Sequence, residues 1–352
     1  MAKHKALQPK IPILSLFSGC GGFDLGFAKA GFEVALALDI DPAAVETYNH
    51  NHKGNRAEVC DLSTTSGEDV IKRLDKKQLP LKPRGIIGGS PCQSFSKGNV
   101  HFKADDIRHT LPRRYAAVLK TLNEHYKLDF FVFENVRGIT STKHLETFGE
   151  FKALFSGAGF SLSEGLLDAL HFGVPQHRPR VFVVGLNREK YGEAKFIFPS
   201  GDPQLRIPVS SVLAGLAEPA FFKRGENAAD FAVHPNHWTM QPKSPKFQNG
   251  FLKEGQSRGR SFRVLSWAKP SGTVAYGHRE IHIHPSGTRR LSVYEAMRLQ
   301  GLPERYVLKG NLSDQVRQVS DAVPYQVGKT LARALMQLLR AAAKNNGSAD
   351  AR

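Results

Sequence analysis

Apolar residues in this chain come in short runs, separated by longer stretches where they recur every three or four positions. Residues 11–17 are almost wholly apolar and stop at a glycine cluster, the pattern of a strand buried on both faces. Residues 23–30 read as a helix, 33–38 as a second strand and 42–49 as a second helix with Pro42 in its first turn. A short strand follows at 85–88, a helix at 115–125 and a nearly all-apolar strand at 128–133. Leu145, Phe148, Phe151, Leu154 and Phe155 form a helical stripe suited to core packing, and 181–186 is another buried strand. Strands alternating with helices predict a parallel sheet with crossover helices, and such sheets place ligands at the carboxyl ends of their strands.

The pattern lapses near residue 191. Residues 195–285 are rich in Pro, Gly, Ser and basic side chains, and helical spacing returns at 292–300 and 324–340. Residues 341–352 are small and polar and are expected to fray. No internal repeat is visible. The expectation is a larger α/β domain from 11–190 plus 318–345, a smaller loop-rich domain from 191–317, and flexible tails at 1–10 and 346–352.

Of 352 residues, 41% are hydrophobic, enough for ordinary globular cores. Lys and Arg number 49 against 32 acidic residues, a formal charge of +17. That excess favours a polyanionic partner such as nucleic acid. The apolar runs are far too short to span a bilayer, and residues 1–10 lack the apolar core of a secretory signal. Cys20, Cys60 and Cys92 form no CxxC pair, which argues against a disulfide scaffold and for a cytoplasmic chain with free thiols. His282 and His284 alternate with Ile281 and Ile283; a polar strand face is the expected reading, and no metal site.

Four places carry candidate chemistry. Phe17-Ser18-Gly19-Cys20-Gly21-Gly22-Phe23-Asp24 links a strand to a helix, and its glycines let backbone approach a cofactor. Asp39 ends the next strand, where a carboxylate can hold ribose hydroxyls; NAD fits this pattern as well as S-adenosylmethionine does. Cys92 lies in Gly88-Gly89-Ser90-Pro91-Cys92-Gln93, a tight loop beyond a strand, where a thiol is placed to react rather than to pack. Glu134 ends the strand 128–133, and a carboxylate there is costly unless paired or used. In Gln176-His177-Arg178-Pro179-Arg180 the alternate residues Gln176, Arg178 and Arg180 share a face.

These motifs, followed by Arg289-x-Leu291-Ser292-x-x-Glu295-x-x-Arg298-Leu299-Gln300-Gly301, occur in an order that resembles the DNA cytosine-5 methyltransferases of bacterial restriction-modification systems, over about residues 11–340. The resemblance implies a Rossmann-like S-adenosylmethionine-dependent sheet carrying catalysis, with a smaller target-recognition domain. It implies Cys92 as the nucleophile on cytosine C6, Glu134 at N3 and the exocyclic amine, Arg180 at O2, and Arg178 in support. It assigns cofactor contacts to Phe17, Gly19, Gly21, Asp39, Ile40, Asp61, Leu62, Pro91 and Asp321. Ser320-Asp321 stands where the family usually has Gly-Asn, and Tyr294 where it commonly has arginine; the second change predicts a local packing difference. Residues 94–108, with Ser94 and Lys97, would form a lid over an extruded base. The recognition segment offers Gln256, Arg258, Arg260 and Arg263 in one loop and Thr273 and Tyr276 in a second. The implied partner is double-stranded DNA, with a cognate restriction endonuclease acting separately, and the implied state is a monomer. Rival readings are a tRNA cytosine-5 methyltransferase, whose Cys-Phe-Thr signature is absent, a catalytically silent DNA-binding homologue, and an NAD enzyme.

Overall fold

The computed structural model describes residues 10–77, 82–90, 111–222, 234–248, 250–258, 262–274 and 282–349. Seven strands form the main sheet: β1 (Ile11–Leu16), β2 (Phe32–Asp39), β3 (Ala57–Val59), β4 (Gly85–Gly88), β5 (Phe130–Val136), β6 (Phe160–Asp168) and β7 (Pro179–Asn187). Their order is β3-β2-β1-β4-β5-β7-β6. The chain reverses its direction of progress across the sheet at β1, which opens a crevice at the carboxyl ends of β1 and β4.

The expected all-parallel sheet needs one correction. β1 to β5 pair in parallel, but β7 runs antiparallel between β5 and β6. β6 supplies the missing return path, and it escapes notice in the sequence because it is an edge strand with polar residues on its exposed face. β3 is too short to show a period, and α3 (Gly67–Lys76) is polar apart from Val70, Ile71 and Leu74; its start is set by a Ser66–Asp69 capping box.

Side chains alternate across the sheet, and each face has its own core. Leu14, Leu16, Ile86, Phe131, Phe133, Val181 and Val183 face α3, α4 (Leu111–Tyr126) and α5 (Leu145–Gly157). Ile13, Ile87, Phe130, Val132, Phe182 and Val184 face α1 (Gly22–Lys29), α2 (Pro42–Asn51) and α10 (Tyr325–Ala349). The α5 stripe is narrower than expected: Phe148, Phe151 and Phe155 are buried, whereas Leu145 and Leu154 are exposed. α10 runs to Ala349, past the predicted fraying point: Ala341, Ala342 and Ala343 favour the helix, and it continues through Asn345, Asn346 and Gly347 although these are poor helix formers.

Between the sheet and α10 the chain forms two single-turn helices, α6 (Arg188–Tyr191) and α7 (Ser210–Leu213), and the short strands β8 (Ala220–Phe221), β9 (Trp238–Thr239), β10 (Ser257–Arg258), β11 (Phe262–Val264) and β12 (His282–Ile283). A separate core joins Val209, Trp238, Leu265, Val274 and Ile-free helices α8 (Val293–Leu299) and α9 (Leu312–Asp321) to Cys20 of the glycine turn. α8 is anchored by Arg289, whose Nη1 and Nη2 each lie 2.9 Å from an oxygen of Glu295, with both side chains almost fully buried. Ser292 and Glu295 complete a capping box at the same helix start. Tyr294 stacks on His234 at 4.1 Å. His282 and His284 are both buried, so the expected polar face is inside this part of the molecule, and the described residues contain no cluster suited to a metal. No helix among the described residues is long and apolar enough to cross a membrane.

A methyl group at Gly185 in β7 would lie 2.0 Å from Cε1 of Phe131, a ring fixed within the core. Gly185→Ala therefore overpacks the β5–β7 pair, and urea unfolding should show a loss of about 1–3 kcal/mol.

Candidate active site

The turn after β1 is shaped by three left-handed residues, Phe17 (φ 56°), Gly19 (φ 53°) and Gly21 (φ 85°). At Gly21 a Cβ would meet His52 Nε2 at 2.5 Å and Tyr48 Cδ2 at 2.7 Å, so only glycine fits. At Gly19 nothing lies within 4 Å of that position, and the backbone borders open space. Asp39 at the end of β2 fixes this turn. Its Oδ2 accepts from Gly19 N–H at 2.7 Å and its Oδ1 from Asp41 N–H at 2.9 Å. Burial pushes the Asp39 carboxyl up, and the amides of Asp41 and Gly19 counter it. Each oxygen keeps a lone pair for a further donor.

Ile40 follows with 61% of its surface in water, an apolar side chain that a flat ring could cover. Asp61 is also exposed beyond β3, and Ser63, donating to its Oδ1 at 2.8 Å, holds its carboxyl below the ordinary range. Leu62 belongs to the core, so it can offer a ligand only its backbone. Open backbone, an apolar platform and spare carboxylate acceptors fit the adenosine portion of S-adenosylmethionine. Beneath the turn, Asp24 is buried and accepts from the Tyr48 hydroxyl at 3.1 Å; burial raises its pKa to about 6. Neither Asp24 nor Tyr48 was marked by the sequence pattern, although Asp24 stands within the quoted glycine motif.

The second half of the site is built across β4, β5 and β7. β4 and β5 pair with Gly88 opposite Phe133, which sets Gly89 beside Glu134. A Cβ on Gly89 would lie 2.4 Å from Glu134 Oε2. Because β7 is antiparallel, its first residues sit at the carboxyl end of β5, with Arg180 opposite Val136. Arg180 Nε lies 3.0 Å from Glu134 Oε1, with only 12% and 13% of the two side chains exposed. Burial pushes the Glu134 carboxyl above its ordinary range; Arg180 and Arg178 pull it down in part, and Asp321 adds to the rise. Asn135 Nδ2 donates to the carbonyl of Ser90 at 3.3 Å, tying down the loop that leads to Cys92. Pro91, Cys92, Ser94 and Lys97 lie outside the described residues, as do Arg260 and Tyr276.

Gln176 and Arg178 do a different task from Arg180. Gln176 accepts from Val274 N–H at 3.0 Å and donates to Leu299 O at 3.1 Å and Gln300 Oε1 at 2.6 Å. Gln300 in turn donates to Val319 O and Ala322 O. Arg178 is fully buried and donates to Val274 O at 3.1 Å and Ser320 O at 2.6 Å. These residues bind the sheet to the 191–317 segment and to the last turn of α9, which carries Asp321. Asp321 keeps part of its surface in water while its carboxyl is partly desolvated, which raises its pKa; the charges of Arg178 and Arg317 partly counter the rise and that of Asp39 adds to it.

Among the proposed DNA-reading residues, Gln256 and Arg263 are exposed on the β10–β11 hairpin, where Arg263 pairs with Ser257. Arg258 lies in β10. Thr273 is turned to the protein, donating to His177 O at 2.8 Å.

Residues 11–337 match the family described as C-5 cytosine-specific DNA methylase. The chain belongs to this family. It is 30% identical to the Type II methyltransferase M.NgoPII of Neisseria gonorrhoeae over 93% of this chain and 96% of that protein. It is 32% identical to the Type II methyltransferase M.MthTI of Methanothermobacter thermautotrophicus, covering 91% and 96%. A crystal structure of a putative DNA modification methyltransferase from an Escherichia coli prophage shares the fold, with TM-score 0.72 and 24% identity over 94% of this chain and all of that one. The Schizosaccharomyces pombe Dnmt2 methyltransferase shares it with TM-score 0.63 and 19% identity, over 94% and 99%. The protein is thus a DNA cytosine-5 methyltransferase that uses S-adenosylmethionine, and the NAD reading of the glycine turn falls away.

Two outcomes follow from this geometry. Gly89→Ala pushes the Glu134 carboxylate off Arg180 and also presses on the Glu134 carbonyl oxygen, 2.8 Å from the added Cβ; it should cut kcat by ~100-fold and lower the thermal midpoint, while cofactor affinity changes little. For Asp24, the folded pKa of about 6 exceeds the ordinary aspartate value of 3.8, so the folded state binds the proton more tightly. Its stabilising contribution is complete below pH 4 and is lost as pH rises to 6, by up to about 3 kcal/mol. Urea titrations at pH 4 to 7 should show this slope, and Asp24→Asn should flatten it.

Proposed function

We propose that this enzyme methylates one cytosine within a specific double-stranded sequence, after extruding the base and joining it covalently to Cys92. The observation that carries the reading is the Glu134–Arg180 pair at the carboxyl edge of the sheet, beside β4, the strand that precedes Cys92 in the sequence. Glu134, with its raised carboxyl, is suited to hold a proton at cytosine N3 and to accept from the exocyclic amine. Arg180 orients that carboxyl and offers donors to O2. Arg178 supports both from behind through Val274 and Ser320. Cys92 thiolate would add to C6, with protonation at N3 offsetting the negative charge and giving C5 enamine character. S-adenosylmethionine, when bound, supplies an electrophilic methyl group on a sulfonium. After C5 takes the methyl group, loss of its proton and departure of the Cys92 sulfur restore the ring.

Phe17, Gly19, Gly21, Asp39, Ile40, Asp61, the Leu62 backbone, Pro91 and Asp321 would hold the cofactor. Asp321, where the family usually has Asn, can accept from the ammonium of the methionine portion but cannot donate to its carboxylate. The lid 94–108, with Ser94 and Lys97, would close over the flipped base. Gln256, Arg258, Arg260, Arg263, Thr273 and Tyr276 would serve the DNA interface, drawing on the +17 charge. Catalysis belongs to 11–190 plus 318–345 and recognition to 191–317. The named Type II relatives support a role in protecting host DNA within a restriction-modification system, with a separate endonuclease. One recognition segment and one motif set per chain support action as a monomer, in the cytoplasm.

Bisulfite sequencing of plasmid from expressing cells should reveal one methylated motif. Cys92→Ala should abolish methylation and keep specific DNA binding, and Glu134→Gln should lower kcat by roughly 10²–10⁴-fold. Duplex carrying 5-fluorocytosine at that motif should give a denaturation-resistant complex with the intact enzyme. Normal turnover by Cys92→Ala would sink the covalent route.

A further inference from the structure

The segment after α8 runs between the cofactor turn and the recognition segment, and its residues bond to the two sides in alternation. Val307 exchanges two hydrogen bonds with Asn51 of α2, its N–H to Oδ1 at 2.9 Å and Asn51 Nδ2 to its carbonyl at 2.7 Å. Leu308 makes the same double exchange with Asn236 of the recognition segment, at 2.8 and 2.9 Å. Lys309 N–H then returns to α2, donating to Thr47 Oγ1 at 2.7 Å. Tyr306 stands at the head of this strip, buried, and its hydroxyl donates to the carbonyl of Cys20 inside the glycine turn. Once that proton is committed, the phenol oxygen is left to accept, and His52 Nε2 lies 3.2 Å from it. The His52 ring is itself stacked on Tyr48 at 4.1 Å and lies directly under Gly21.

Among the described residues the Cys20 carbonyl has no helical or sheet partner to fix its direction, and the peptide that carries it joins Cys20 to Gly21, between the two left-handed glycines Gly19 and Gly21. Glycine gives the turn freedom as well as shape. A single buried donor at that carbonyl is therefore enough to select one orientation of the peptide planes on either side. We propose that Tyr306 is a positioning residue for the cofactor: reaching in from the recognition side, its hydroxyl, oriented by His52, holds the Cys20 carbonyl and with it the glycine turn in the binding conformation. This rests on the reading of that turn as the cofactor cradle. His52 is kept neutral by burial, with its pKa lowered to about 4, so the relay operates unchanged through the neutral range.

The test is calorimetric titration of the full chain with S-adenosylmethionine, alongside thermal unfolding and steady-state kinetics. Tyr306→Phe removes one oxygen and leaves the ring packed. It should weaken the cofactor Kd by about five-fold and raise the cofactor KM in parallel, while kcat and the KM for DNA stay within about two-fold. A purely structural tyrosine would lower the thermal midpoint and leave the cofactor Kd alone. His52→Gln, which can still donate to the phenol, should bind near the wild-type level, whereas His52→Leu should reproduce the loss; this pair decides the matter if Tyr306→Phe does not fold. Asp39→Ala is the control for the cradle. If Asp39→Ala weakens binding while Tyr306→Phe and His52→Leu do not, the positioning role is wrong and the cradle stands. If none of the three weakens binding, the cradle is wrong and the proposal goes with it.

Discussion

β7 runs against its neighbours, and that reversal builds the candidate site. In an all-parallel array, the first residues of a strand lie at the edge opposite the crevice. Here the amino end of β7 meets the carboxyl end of β5, so Arg180 is delivered to Glu134 across one strand pair. Both side chains are largely out of water, where an unpaired partner would be costly and where the pairing itself fixes geometry more than it adds stability. The backbone accommodates the carboxyl by keeping glycine at position 89, directly against Glu134. A raised carboxyl beside a guanidinium follows from strand direction and one missing Cβ.

A second constraint is the demand that buried amides and carbonyls be satisfied. Gln176, Gln300 and Arg178 spend their donors on backbone carbonyls at Val274 and Leu299 and at 319–322. None of these bonds touches a reacting atom. They fix where the C-terminal turn lies against the glycine turn, where Gly22 packs on the carbonyl of Val323. The two halves of the cofactor crevice thus come from distant parts of the sequence and are registered by buried hydrogen bonds. The Arg289–Glu295 pair does the same for α8, on which Gln300 depends.

Much of this was legible in the sequence, for identifiable reasons. β1, β2, β4, β5 and β7 are covered on both faces, and a strand in that position must be apolar along its length. The glycine turn, Asp39 and Glu134 announce themselves because residues of their kind are costly where they stand unless they serve a purpose. β6 and α3 were hidden because an edge strand and a solvent-facing helix need only a few apolar positions. The helical stripe of α5 included Leu145 and Leu154, because spacing gives the face of a helix and not the width of the surface that covers it.

Sequence by itself determined the strand–helix alternation, the glycine turn, the order of the motifs and therefore the chemistry, since each is a local demand on residue type. Tertiary structure decided which way β7 points, which of three alternating side chains reaches Glu134, that His282 and His284 are inside, and that Tyr306 meets a carbonyl 286 positions away. The reason is physical: strand direction, partner choice and burial are set by what packs against a segment, and a segment does not carry its neighbours in its own residues.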